Sequence, residues 1–224
     1  ENWLPRYTER PLSDFTNHIL LTNFTKYVEL FAEHFQVPVL GLKGSMPNAS
    51  AEGITIINFG MGSANAATIM DLLTAIMPHA VLFLGKCGGL KADNQLGDYL
   101  IPIAAIRGEG TSNEYLPPEV PSLPAFSMLR AISSAIRDHG RDYLVRTHAM
   151  GIDMETATLL TAGFANQIQT GALLMISDKP LEADGIKTEE SDRKVTKLFV
   201  NEHLNLGVEA LRQIIDEKRT VKHI

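Results

Sequence analysis

The chain has 224 residues, 45% hydrophobic and 21% charged, which places it among globular chains with enough apolar side chain for one sizeable core. Twenty Lys and Arg against twenty-six Asp and Glu leave a net charge of −6, so the overall field argues against nucleic acid as a partner. One cysteine, Cys87, excludes an intrachain disulfide; with no signal-peptide pattern and no apolar run of membrane-spanning length, this points to a cytoplasmic protein with no membrane partner.

In chain order, Phe15–Phe35 carries a mostly helical pattern, and Val37–Leu42 (VPVLGL) is a candidate first strand. Ile54–Phe59 is a β-rich run, followed by a helix over about Ala64–Met77. Ala80–Gly85 (AVLFLG) is continuously apolar, as expected of a strand buried on both faces. Asp98–Ile106 reads as a further strand, placed by Pro102 at an edge, bulge or bend. A proline-rich loop, Leu116–Pro124, leads into a helix near Phe126–His139. Met154–Asn166 reads as a helix, Gly171–Asp178 as a buried strand, and about Lys194–Lys218 as an amphipathic helix after a polar loop. Alternating strands and helices predict one α/β layered domain over 1–224, with a largely parallel sheet.

Ligands of such sheets sit outside the carboxyl ends of the strands. Three predicted strand ends carry unusual sequence: FGMGS after Phe59, GKCGG after Leu84 and SDKP after Ile176. Gly60-Met61-Gly62 lacks the third glycine of a dinucleotide fingerprint and the Lys-Ser/Thr of a P-loop. It fits either a turn presenting helix N–H groups to an anion or simple corner geometry with Ser63 as cap. Lys86 is a costly charge at a buried strand end unless it meets an anion, reaches solvent or pairs with an acidic neighbour. Asp153 and Glu155 flank Met154 at a strand-to-helix junction, where a carboxylate can take two hydrogen bonds from a vicinal diol and the methionine can pack on a sugar face. The same acids could instead be helix-start charges. Asp178 ends a buried strand after Ser177, placed either to donate a proton or to cap a turn. The seven histidines and one cysteine show no metal-ligand spacing, and no metal or organic cofactor is expected.

Together, GMGSANA, GKCGGL, GDYLIP, DMETAT and SDKP, in this order and spacing, resemble the nucleoside phosphorylase/nucleosidase family over about Arg6–Ala210. Within it, FLGKCGGLK, RGEGTSNEYLPPEVP and ISDKP are most similar to the catalytic domains of AMP nucleosidases. The resemblance implies a three-layer phosphorylase/hydrolase-like fold, with a central mixed, largely parallel twisted sheet flanked by helices. It also implies hydrolysis of the N-glycosidic bond of AMP, a small-molecule substrate, in a homo-oligomer such as a hexameric trimer of dimers. By motif position, Asp178 would hydrogen-bond or protonate the purine N7. Glu155 would hold the ribose 2′ and 3′ hydroxyls, with Met154 against the sugar. Lys86 and Arg6 would meet the 5′-phosphate, and Asp153, Ser177, Gly88, Cys87 and Gly62 complete the substrate-binding set.

Two departures from the family pattern matter. Phosphorolytic relatives carry an arginine for inorganic phosphate where this chain has Phe83, and a serine where it has Lys86, which favours hydrolysis. Only Leu144–Gly151 separates Tyr143 from Ile152, where family members carry a longer segment that helps to enclose the base. Nucleoside phosphorolysis, hydrolysis of methylthioadenosine-type nucleosides and a non-catalytic nucleotide-binding module are the alternatives. Larger family members add an N-terminal regulatory domain, for which this chain is too short.

Overall fold

The computed structural model describes residues 3–138, 151–182 and 185–217. The stretch from Leu144 to Met150, whose shortness the family comparison flags, lies outside them, as do the expected helix ends His139 and Lys218.

Seven strands among the described residues form one mixed sheet: β1 (His18–Thr22), β2 (Asn48–Ala51), β3 (Ile54–Asn58), β4 (Ala80–Gly89), β5 (Tyr99–Leu100), β6 (Gly151–Ile152) and β7 (Thr170–Asp178). Their order is β2-β3-β1-β4-β7-β5, with β6 added to the end of β4. The three central pairings, β3 with β1, β1 with β4 and β4 with β7, are parallel, and the outer ones are antiparallel. Helices α1 (Leu4–Thr8), α2 (Thr25–Phe35), α3 (Ser63–Leu73), α4 (Phe126–Asp138), α5 (Thr156–Ala165) and α6 (Glu189–Glu217) cover the two faces.

Strand alternation sorts the core into two layers. Leu20, Leu82, Leu84, Leu173 and Met175 face one way, against Tyr27 and Phe31 of α2, Met128 and Ile132 of α4, and Val200, Leu204 and Leu211 of α6. Ile19, Leu21, Val81, Phe83, Leu174 and Ile176 face the other way, against Leu4 of α1, Ile69 and Met70 of α3, and Leu159 of α5. This is the three-layer α/β sandwich expected.

Several boundaries differ from expectation. His18–Thr22 is a strand rather than part of a helix, because its apolar residues are buried on both faces between β3 and β4. Val37–Leu42 forms only an isolated bridge, Leu40 with Asn48, while the edge strand is β2, which turns through Glu52-Gly53 into β3. The strand expected over Asp98–Ile106 stops at Leu100, just before Pro102, which has no N–H for a ladder. Strand β4 runs on through Gly85-Lys86-Cys87-Gly88-Gly89 instead of ending at Gly85, and α6 begins at Glu189, earlier than expected.

Candidate active site

The last residues of β4 fix the geometry. Strand β1 pairs with β4 only as far as Leu84, and beyond it β6 takes the place beside β4. Gly88 thus lies between Ile152 of β6 and Asp178 of β7, and the two acidic motifs flank one glycine. A Cβ at Gly88 would lie 2.9 Å from Pro180 Cδ and 3.1 Å from Ile152 Cγ2, so the close approach of SDKP and β6 requires glycine here.

Register slips between Cys87 and Gly88: Cys87 pairs with Ile176 and Gly88 with Asp178, leaving Ser177 as an extra residue. Such a bulge re-aims the side chains that follow it. Ser177 is buried, and its hydroxyl donates to Asp178 Oδ1 at 2.7 Å, which orients the carboxyl group at the strand's end. Cys87 is buried against the same place. Burial pushes its thiol pKa far up, and the charges of Asp153 and Asp178 add to the effect.

Glu155 is the other fixed group. It is 2% exposed, yet its carboxylate is held by three donors: the Gly62 amide on Oε1 at 2.7 Å, the Met154 amide on Oε2 at 3.3 Å, and the side chain of Asn23. Burial raises the Glu155 pKa; the Gly62 amide opposes this and the charge of Asp153 reinforces it. Gly62, at φ 93° and ψ 159°, occupies a region open in practice only to glycine, and that conformation aims its N–H at the carboxylate. Asn23 Oδ1 is buried with no hydrogen-bond partner among the described residues.

The neighbours of Glu155 divide by role. Asp153 Oδ2 accepts from the Thr156 amide at 2.9 Å, the Thr156 hydroxyl at 2.6 Å and the Glu155 amide at 3.3 Å, so it holds the turn that enters α5 and positions Glu155. Met154 is 56% exposed and Met61 59%, two large apolar side chains left open beside the buried Glu155 carboxylate. Ser63 opens α3 without capping it, and its hydroxyl bonds Thr111 Oγ1 at 2.7 Å.

Lys86 follows the strand's alternation to the opposite face, with Leu82 and Leu84, against α6. There it pairs with an acidic neighbour: Nζ lies 2.7 Å from Asp192 Oδ1, 2.8 Å from Thr196 Oγ1 and 4.4 Å from the Phe24 ring centre. Burial lowers the Lys86 pKa and Asp192 opposes this. Arg6 is exposed on α1, its guanidinium 4.6 Å over the Trp3 ring. The structure thus draws together Gly62, Cys87, Gly88, Asp153, Met154, Glu155, Ser177 and Asp178, turns Lys86 to the α6 side, and leaves Arg6 exposed on α1.

Sequence reasoning missed Asn23 and Asp192. Asn23 follows β1, and reading that strand would have put it at a carboxyl end. Asp192 and Thr196 stand four apart on one helix face, a spacing that only becomes meaningful once α6 is known to start at Glu189.

The phosphorylase superfamily model matches residues 17–152. The chain is 27% identical to the AMP nucleosidase of Escherichia coli strain K12 over 276 residues, covering 93% of this chain and 57% of that protein. It therefore spans just over half the length of that curated relative. A crystal structure of AMP nucleosidase from Bacteroides thetaiotaomicron superposes with a TM-score of 0.83 at 58% identity, covering 96% of each chain. A purine nucleoside phosphorylase from Toxoplasma gondii, at 20% identity, shares the fold with a TM-score of 0.76, covering 91% of this chain and 95% of that one. With the mixed sheet, the Gly62–Glu155 clamp and the bulge before Asp178 in place, the matched residues settle the family: the chain belongs to the phosphorylase superfamily.

Proposed function

We propose that this chain hydrolyses the N-glycosidic bond of AMP, releasing adenine and ribose 5-phosphate. The observation that carries the reading is the buried Glu155 carboxylate beside the orphan acceptor Asn23 Oδ1, flanking the same strand end as Asp178. Two adjacent acceptors suit the two hydroxyls of a ribose, and the exposed Met154 suits its apolar face. Similarity to two AMP nucleosidases supports adenine nucleotide as the substrate.

In this reading, the bond from C1′ to the base breaks with its electron pair going to the base. Asp178, oriented by Ser177, donates a proton to the departing purine at N7. Proton donation of this kind contributes roughly 10²–10⁴-fold. Glu155 holds the diol and sets negative charge near the cationic sugar. Water adds its oxygen to C1′ and releases a proton. The resemblance assigns the 5′-phosphate to Lys86, whose Nζ is paired with Asp192 on the α6 side of the sheet.

Phe83 favours water over phosphate as the nucleophile. It is fully buried in the core, 5.8 Å from the Phe59 ring, so no cation stands where phosphorolytic relatives carry arginine. The reading extends to a cytoplasmic homo-oligomer, supported by the family resemblance alone; no helix among the described residues is long and apolar enough to cross a membrane. Turnover of AMP in phosphate-free buffer tests the step: ribose 5-phosphate formed in step with adenine supports hydrolysis, and product made only with added phosphate refutes it.

A further inference from the structure

The Lys86 pairing leaves an imbalance of charge. Asp192 Oδ1 receives Lys86 at 2.7 Å and also Lys187 at 2.9 Å, so one carboxylate oxygen serves two ammonium groups. Both lysines also lie over the same ring, Phe24, at 4.4 and 5.2 Å. Two positive charges thus meet one negative charge, with the Thr196 hydroxyl as a further polar group. The other titratable neighbours add little. Burial keeps His203 neutral, and burial raises the Tyr27 pKa well above its ordinary value.

The two sides of the pair differ in freedom. The Lys86 side chain is 2% exposed and fixed by its strand, whereas Asp192 is 30% exposed on the first turn of α6. Rotation of the Asp192 side chain alone would carry its carboxylate toward water. It would leave two ammonium groups and a hydroxyl, a donor set matching the charge and the several oxygens of a phosphate dianion. The cluster also adjoins the diol clamp: Phe24 directly follows Asn23, whose side chain holds Glu155.

We propose that Asp192 stands in for a phosphate dianion, and that a phosphomonoester bound at the site displaces it and takes over Lys86 and Lys187. This rests on the AMP reading for the source of the dianion and adds to it a second cation, Lys187, and an internal competitor, Asp192. Occupying the lysines with the chain's own carboxylate costs affinity for every anion and keeps the pair from standing uncompensated beneath α6. An ion pair that merely anchors α6 predicts no gain in affinity on loss of the carboxylate's charge.

The test is calorimetric titration of the whole chain with ribose 5-phosphate, ribose and inorganic phosphate, in the wild type, Asp192→Asn and Lys187→Gln. Ribose 5-phosphate is expected to bind roughly tenfold tighter to Asp192→Asn and roughly tenfold weaker to Lys187→Gln, the scale of one charged hydrogen bond. Ribose affinity stays level in all three. Inorganic phosphate following the same order identifies a free-anion site, and ribose 5-phosphate alone doing so identifies a phosphomonoester site; either supports the exchange. Unchanged or weaker binding in folded Asp192→Asn overturns it. Should that variant fail to fold, unchanged affinity in Lys187→Gln does so instead. No turnover is required, so the two readings fail separately. The expected binding order without adenine release from AMP refutes the hydrolase and keeps the dianion site. AMP hydrolysis with level affinities does the reverse.

Discussion

The Gly62 amide donates to Glu155 Oε1 across 2.7 Å, tying the turn after β3 to the start of α5, 93 residues further along the chain. Neither partner explains itself alone. The glycine's positive φ has no evident purpose until the carboxylate is present, and the buried carboxylate is costly without the amide. Glu155→Gln keeps the shape and loses the charge. It should lower kcat/KM for AMP by roughly 10- to 100-fold, the worth of one charged hydrogen bond.

A pH profile follows from the same pair. Burial raises the Glu155 pKa above its ordinary 4.5, so the diol-binding carboxylate form is lost as pH falls through that raised value. The wild-type acid limb of kcat/KM is therefore expected above pH 4.5, and it should shift or vanish in Glu155→Gln. An unchanged limb in the variant would assign it to another group.

Asp178→Asn should cut kcat by roughly 10²–10⁴-fold while leaving the melting temperature nearly unchanged. The amide oxygen can still accept from the Ser177 hydroxyl, but the group has no acidic proton to deliver. Near-normal turnover would remove Asp178 from the acid role.

The loop after β5 hangs on Arg107. Its guanidinium donates to the carbonyls of Ser112, Leu116, Pro117 and Val120 and to the Ser112 hydroxyl. The same loop bonds both helix starts at the site, through Thr111 to Ser63 and through Glu109 to Thr158 at 2.7 Å each. Lysine cannot reproduce that fan of donors. Arg107→Lys should cost about 1–3 kcal/mol of stability and raise KM, checked by thermal melts and steady-state kinetics.

His203 makes an acid-sensitive core. It is fully buried, bonded to the Tyr27 hydroxyl at 2.8 Å and the Leu173 carbonyl at 2.9 Å, and burial holds its pKa down to about 3. The unfolded chain takes up this proton near the ordinary 6.5 and the folded chain does not, so stability falls as pH drops from 6.5 toward about 3. The slope from this residue is about 1.4 kcal/mol per pH unit. Denaturant titrations should show a flatter acid dependence in His203→Gln, though that variant is less stable at neutral pH.

Much of this site was legible because its chemistry sits in short motifs at strand ends, where β7 and α5 fall out of hydrophobic periodicity. The rest depends on register and pairing, which a sequence does not display. The bulge at Ser177 is visible only against Cys87 and Gly88. The fate of Lys86 turns on β4 continuing past Gly85, which its glycines disguised, and on a partner in α6 106 residues away. Strand β1 was hidden because His18–Thr22 runs almost directly into the amphipathic pattern of α2, and losing it also hid Asn23. Asp153 shows the limit of motif reading: in DMET it looked equal to Glu155, yet its oxygen is spent on Thr156.

The most direct measurement is adenine release from AMP and from adenosine, each with and without inorganic phosphate. The expected result is release from AMP alone, independent of phosphate. Release from adenosine only when phosphate is present would contradict it, making the chain a phosphorylase and the reading of Phe83 and Lys86 wrong.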